Sequence, residues 1–405
     1  MSKKKLLFFA GDMTCVFARN EYDYMTNAFD EIIVFTYPGH ETECQELSQR
    51  YHIQYKVVGK KTLKTCFSIA FIKWLMEKDV RKEILANFGL RLSNIKKIAY
   101  ILYYGLFHCE VQQVIKKNNI HTEDTYVYSY WLSRTAYAAS RIKGAKIKVS
   151  RAHGFDIYKE RNALNFLPFR KFIHDHLDEV CFISLQGKDY YEKEVYSNDC
   201  DKNKVYRLGS YNKTPIIKTL KEKQKVTIVS CSSIIQVKRI DLIIRLLSMF
   251  PCEFNWYHLG EGTLYTELEK KANQYLKSGS FHFVGNIDNA QILSFYEYID
   301  ADLFINLSDS EGIPVSIMEA LSFGLPIIAR NVGGMHEIVN DKNGLLIPNI
   351  ENQEEVIHKL TCFLEEWKMN KSMYMEYAIT TWEEKYNAEV NYKNFFHHLY
   401  NAGCE

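Results

Sequence analysis

Two glutamates, Glu311 and Glu319, stand eight residues apart in a segment that runs Ser308-Asp309-Ser310-Glu311-Gly312-Ile313-Pro314-Val315-Ser316 and continues to Pro326. The segment reads as strand, tight loop, helix and strand, with Pro314 suited to the first turn of the helix and Gly324 followed by Pro326 suited to its end. Helix polarity makes the backbone of Gly312, Ile313, Pro314, Val315 and Ser316 an anion site, because N–H groups without an intrahelical partner and the positive end of the dipole point into the loop. Phosphate or a similar anion is the natural guest. Glu311 in the loop and Glu319 in the helix line one cleft at different depths, where carboxylates accept hydrogen bonds from sugar hydroxyls. A third candidate is His153, in Arg151-Ala152-His153-Gly154-Phe155-Asp156. It follows an expected strand at 147–150 and so sits at a carboxyl strand end, where doubly wound sheets bind ligands; the competing reading is a packing histidine.

The elements that must position these residues are legible as short β-rich runs alternating with helix-length segments, which is the pattern of parallel sheets covered by helices. Strands are expected at 226–230, 254–258, 281–284, 303–306, 326–329 and 345–347, and, less cleanly, at 6–10, 32–36, 126–130, 147–150, 180–183 and 205–208. Two similar α/β units follow, with the boundary in the polar, Lys-rich stretch 210–225, where Pro215 stops a helix from running through. The expected division is 1–212 and 213–382 for the two units, with 383–405 as a C-terminal helical stretch.

Composition sets the outer limits. A chain of 405 residues with 47% hydrophobic and 25% charged residues is an ordered protein of two or three domains. Lys and Arg number 51 against 49 Asp and Glu, a net charge of +2, which gives no field for nucleic acid. Ten cysteines lie at irregular spacing without a Cys-x-x-Cys pair, and His174-x-His176 and His397-His398 lack the carboxylate or thiol that would complete a ligand set, so no metal site is expected and the cysteines read as buried thiols. No apolar run reaches the length of a membrane span, and the expected location is the cytoplasm. Residues 56–100 hold eleven basic and three acidic residues interleaved with Phe67, Phe71, Trp74, Leu75, Phe88, Leu90 and Ile98. That pattern fits a helix on an anionic membrane at the inner face of the cell, and equally a solvated helix packed on its own domain.

The run from Asp302 through Asn343-Gly344-Leu345-Leu346, with Glu311-Gly312-Ile313-Pro314, Glu319-Ala320, Gly324-Leu325-Pro326-Ile327-Ile328-Ala329 and Gly333-Gly334 inside it, resembles the retaining family 4 glycosyltransferases. The resemblance implies the GT-B fold: two Rossmann-like α/β/α domains facing across a cleft, the first (1–212) on the acceptor side, the second (213–382) holding the donor nucleotide, and a C-terminal helix (383–405) packing back on the first. It casts Glu311 as a contact to donor sugar hydroxyls, Glu319 as acceptor for the ribose hydroxyls, and the backbone of residues 312–316 as the seat of the sugar and diphosphate. Cys231-Ser232-Ser233-Ile234-Ile235-Gln236-Val237-Lys238 takes the place of a family element in which Lys238 matches the diphosphate lysine; Ser233 stands where the family usually has a second clamp, an Arg. Gly260-Glu261-Gly262 looks like a family turn, and Gly285-Asn286-Ile287 the segment whose backbone meets the base. His153 matches a family histidine that hydrogen-bonds the donor sugar across the cleft. The implied reaction moves a sugar from a UDP- or GDP-sugar to a glycan or lipid-linked oligosaccharide hydroxyl with retained configuration, without a cofactor or metal. A non-catalytic sugar-nucleotide-binding partner of another transferase, and a GT-B epimerase, remain as alternatives.

Overall fold

The apolar runs become parallel strands buried on both faces, as strands lying between two helix layers must be. The computed structural model describes residues 4–60, 63–162, 164–195, 201–212, 223–276, 281–347 and 352–403. Seven strands, β1 (Lys5–Gly11), β2 (Glu31–Thr36), β3 (Gln54–Val57), β4 (Tyr126–Ser129), β5 (Ile147–Ala152), β6 (Glu179–Phe182) and β7 (Asn203–Val205), form a sheet in the order β3-β2-β1-β4-β5-β6-β7. Six more, β8 (Val226–Cys231), β9 (Phe254–Leu259), β10 (Phe281–Gly285), β11 (Leu303–Asn306), β12 (Ile327–Arg330) and β13 (Gly344–Ile347), form a second in the order β10-β9-β8-β11-β12-β13. Every strand pairing in both sheets is parallel. In each sheet the winding reverses once, between β1 and β4 and between β8 and β11, and this switch point opens a crevice at the carboxyl ends.

Side-chain alternation feeds a core on each face. In the first unit Leu6, Phe8 and Ala10 join a cluster with Phe395, Phe396 and Leu399 of the helix Ala388–Ala402, while Leu7 and Phe9 join Phe107 and Val111 of the helix Leu92–Lys117. In the second, Ile228, Leu303 and Ile305 meet the helix Ile240–Ser248, and Val229, Phe304 and Ile327 meet Ile317 and Leu321. Inside the first core Arg151 Nη1 lies 2.9 Å from Glu21 Oε1, both fully buried, with the Tyr128 hydroxyl donating to Glu21 at 3.0 Å. Burial pushes the Glu21 carboxyl up to about 7, with Arg151 opposing.

Three expectations are corrected. Strand β3 was not anticipated, because Gln54-Tyr55-Lys56-Val57 is a short edge strand without a fully buried residue and carries no continuous apolar signal. Strand β7 occupies 203–205 and not 205–208; it too is an edge strand, paired on one side only. The two units are 1–206 with 392–405, and 207–391, instead of meeting at 212/213 and 382/383. The Ser210 backbone bridges to Asn387 and the Trp382 indole donates to Ser210 Oγ at 3.0 Å, which ties this stretch to the second unit; much of the expected linker, 213–222, lies outside the described residues.

Candidate functional site

At the second switch point the loops after β8 and β11 meet directly: the Asp309 N–H donates to the Val237 carbonyl at 2.9 Å. The meeting brings together two residues singled out from the sequence, 73 positions apart. Lys238 Nζ donates to Glu311 Oε1 at 2.6 Å, with side chains 25% and 10% exposed. A charge-assisted bond of this length at the mouth of a crevice orients both groups, and Glu311 occupies one of the three protons of the ammonium. Glu319, in the helix Val315–Ser322, is half-buried, and burial raises its carboxyl to about 7. Burial also pushes the Cys231 thiol up to about 12, with Glu319 adding to the rise and Lys238 opposing it, so all three groups share one electrostatic environment. The helix begins at Val315; Pro314 is its N-cap and not a first-turn residue, a one-place shift that leaves the N–H groups of Val315 and Ser316 at the orphan positions.

Backbone contacts fix the loops. The Ser232 N–H donates to the Leu259 carbonyl at 2.9 Å, Ile234 to Glu261 at 2.9 Å, and Gly260 to Gly285 at 2.8 Å, joining the ends of β8, β9 and β10. Gly260 has φ +134°, and a side chain there would collide with the Ser232 carbonyl. Gly333 has φ +55° and lies so close to the Glu311 carbonyl that no Cβ fits. Under this platform runs a buried relay: the Trp256 indole donates to Ser230 Oγ at 2.9 Å, Ser230 meets His258 Nδ1 at 2.8 Å, and His258 Nε2 lies 3.1 Å from the Ser232 carbonyl. An indole only donates and a carbonyl only accepts, so His258 carries its proton on Nε2; burial lowers its pKa to about 4, keeping it neutral. Ser233 is exposed on this platform, and Ile287 is half-buried against the apolar cluster that includes Tyr257 and Phe295.

The neighbouring arginines are already engaged. Arg239 donates through Nε and Nη2 to Asp241 at 3.0 Å and through Nη1 to Asp309 at 2.9 Å; Arg330 also pairs with Asp309. Arg239 therefore braces the Glu311 loop.

In the first unit the switch point holds aromatic rings. The Trp131 indole lies against Gly11, at the end of β1, and its ring centroid is 4.4 Å from that of His153 and 4.8 Å from that of Phe155. His153 stacks on Tyr130 at 4.8 Å. The Asp156 carboxylate accepts from the N–H groups of Leu132 at 2.7 Å and His153 at 2.6 Å, locking the loops after β4 and β5 together. Both His153 ring nitrogens are buried without a hydrogen bond, Nδ1 lying 3.8 Å from Asp156. Burial lowers the His153 pKa, with Asp156 opposing, so the ring offers one donor and one acceptor.

The structure thus brings Lys238, Glu311, Glu319 and residues 312–316 to one switch point, with Ser233 and Ile287 on the adjoining loops, and places His153 at the other. Sequence reasoning missed Asp309, Arg330, His258 and Trp131. Trp131 carried the same signal as His153, since it follows an expected strand; the other three carried none, because their partners are distant in sequence. The histidine pairs serve packing and side-chain bonding: His176 stacks on Phe172 at 3.9 Å and His398 Nε2 lies 2.7 Å from Glu179. Among the described residues no group of three or more His, Cys, Asp or Glu is placed to hold a metal ion, and no helix is long and apolar enough to cross a membrane. Of the cysteines, Cys44, Cys109 and Cys181 are buried as expected, whereas Cys362 is exposed.

Residues 212–379 match the family described as glycosyl transferases group 1. The chain is 25% identical over 303 residues to the O-antigen biosynthesis glycosyltransferase WbnH of Escherichia coli, covering 73% of this chain and 80% of that protein. Among solved structures it is similar to Anabaena Alr3699/HepE in complex with UDP (TM-score 0.66, 15% identity, 99% of this chain and 100% of that one) and in complex with UDP-glucose (TM-score 0.62, 14% identity, the same coverage). The second unit thus carries a group 1 glycosyl transferase domain, and the two parallel-sheet units have the GT-B fold.

Proposed function

We propose that the protein transfers a sugar from a nucleoside diphosphate sugar, UDP-linked in preference to GDP-linked, to an acceptor hydroxyl with retention of configuration, in the assembly of a bacterial surface polysaccharide. The observation that carries the reading is the Lys238–Glu311 contact at the second switch point, beside the half-buried Glu319. A cation, a helix N-terminus and two carboxylates within one crevice suit a ligand that is anionic at its diphosphate and rich in hydroxyls at its sugars. The preference for uridine is supported by the UDP and UDP-glucose complexes of Alr3699/HepE, and the polysaccharide assignment by WbnH.

In this reading the Glu319 carboxylate accepts from the ribose hydroxyls and Glu311 from the sugar hydroxyls. Lys238 and the amides at the start of the helix Val315–Ser322 stabilise the diphosphate, whose charge grows as the bond from the anomeric carbon to phosphate breaks. The acceptor oxygen forms the new bond to that carbon on the same face, and its proton passes to the departing phosphate oxygen. Those cationic and N–H groups supply the stabilisation without a metal or cofactor. Ser233 and Ile287 border the nucleotide, and His153, in the first unit, keeps a neutral ring that can donate one hydrogen bond and accept another. The acceptor is a glycan or lipid-linked oligosaccharide at the cytoplasmic face of the membrane.

The test is a thermal-shift panel of UDP, GDP, ADP and CMP with their sugar conjugates on the wild type and Glu319→Ala. Stabilisation by uridine nucleotides that is lost in the variant is the expected result. No shift with any nucleotide overturns the donor site.

A further inference from the structure

The helical layer between β3 and β4 has an apolar surface that its own fold does not use. In the helix Ile69–Leu75 one face is core: Phe71 and Trp74 are 7% and 2% exposed, their rings stack at 5.3 Å, and the Trp74 indole donates to the Tyr137 hydroxyl at 2.7 Å. The opposite face carries Lys73 but is otherwise apolar, with Ile69, Ile72 and, one turn on, Met76 at 73%, 54% and 64% exposed. A helix that is apolar all round is ordinarily covered all round. The feature continues through the helix Lys78–Ala86 into the turn before Leu92–Lys117, where Phe88 and Leu90 are 71% and 96% exposed. Nine of the 24 large exposed apolar side chains among the described residues lie between 67 and 95, a concentration well beyond scattered surface hydrophobics.

The charges on the same segment choose the partner. Lys73, Lys78, Arg81, Lys82, Arg91 and Lys96 are exposed. Of the three acids, Glu77 pairs with Arg141 and Glu83 accepts the Phe169 N–H, which leaves Asp79 exposed. A second copy of the chain would set this cationic surface against itself, whereas an anionic lipid surface matches both its charge and its apolar side chains.

We propose that residues 67–96 form a membrane-docking surface, with the outer face of Ile69–Leu75 and the Phe88/Leu90 turn entering the boundary between headgroups and acyl chains while the basic side chains meet lipid phosphates. The surface stands or falls separately from the donor site.

The experiment is co-sedimentation of the full chain with phosphatidylcholine vesicles with and without phosphatidylglycerol, at low and high salt. The comparison includes Phe88→Asp/Leu90→Asp and Arg81→Glu/Lys82→Glu, with circular dichroism and thermal midpoint as folding controls. Phosphatidylglycerol vesicles should bind the wild type, high salt should release most of it, and each double variant should bind at least about tenfold more weakly while keeping its thermal midpoint. Absence of binding to phosphatidylglycerol vesicles at low salt overturns the proposal. So does wild-type binding that both folded variants retain, and so does a wild-type dimer in light scattering that Phe88→Asp/Leu90→Asp dissolves, which would assign the surface to a second copy.

Discussion

The two sheets share one strand order through their first six strands and each opens a crevice where the winding reverses, but the crevices are furnished in opposite ways. In the first unit it holds Tyr130, Trp131 and His153, rings that pack on one another and leave both imidazole nitrogens without a hydrogen bond. In the second it holds a lysine, two carboxylates and a helix N-terminus, braced by the chain from Asp241 through Arg239 and Asp309 to Arg330. Aromatic rings fill the first crevice with neutral groups, whereas in the second, burial raises the Glu319 carboxyl to about 7 because its charge carries a desolvation cost. One scaffold therefore presents a neutral, apolar-walled site and a charged one, and the difference resides in the loops.

The sharpest way to break this comparison is to unsettle one unit alone. Arg151→Met leaves Glu21 buried opposite an apolar side chain and should destabilise the first unit by about 3–5 kcal/mol, seen as an early transition in calorimetry; Glu21→Gln in the same chain should recover part of it. Lys238→Ala removes the cation of the second crevice and should lower sugar transfer about 10²–10³-fold, measured as nucleotide release, with the thermal midpoint nearly unchanged. Gly260→Ala forces a side chain onto the Ser232 carbonyl at φ +134°; nucleotide-induced stabilisation should fall while the fluorescence of the first unit's tryptophans is unaltered. The smallest effect is in pH. Burial raises the Glu319 carboxyl to about 7; if its ionised form accepts from the ribose as proposed, UDP affinity should rise about tenfold from about pH 6 to about pH 8, and Glu319→Gln should lose that rise. The same raised pKa works in the opposite sense on the ligand-free fold: its contribution is fully present below the unfolded value of 4.5 and is lost as pH rises through 7.

Most of the strands were readable because a parallel strand between two helix layers needs an apolar residue at nearly every position; Leu303–Asn306 is buried throughout and reads so. Gln54–Val57 was not, because an edge strand satisfies the sheet with its backbone and needs no fully buried side chain, Gln54 being exposed. Glu311, Gly312 and Glu319 were readable because a loop and its helix keep them within a few residues of one another. The engagement of Arg239 by two aspartates, one of them 70 positions away, was invisible from any of these positions alone.

The sequence by itself determined the alternation of strands and helices, the helix N-terminus after Glu311, and the basic, apolar stretch between 56 and 100, since each is a matter of residue type and short-range period. Only the tertiary structure decided that Lys238 meets Glu311, that Gly333 lies against the Glu311 carbonyl, that His258 holds its proton on Nε2, and that Phe71 and Trp74 turn inward while Ile69 and Ile72 stay exposed. Such pairings join positions far apart in the chain, and their energies depend on distance and burial, which are properties of the folded arrangement and not of local order along the sequence.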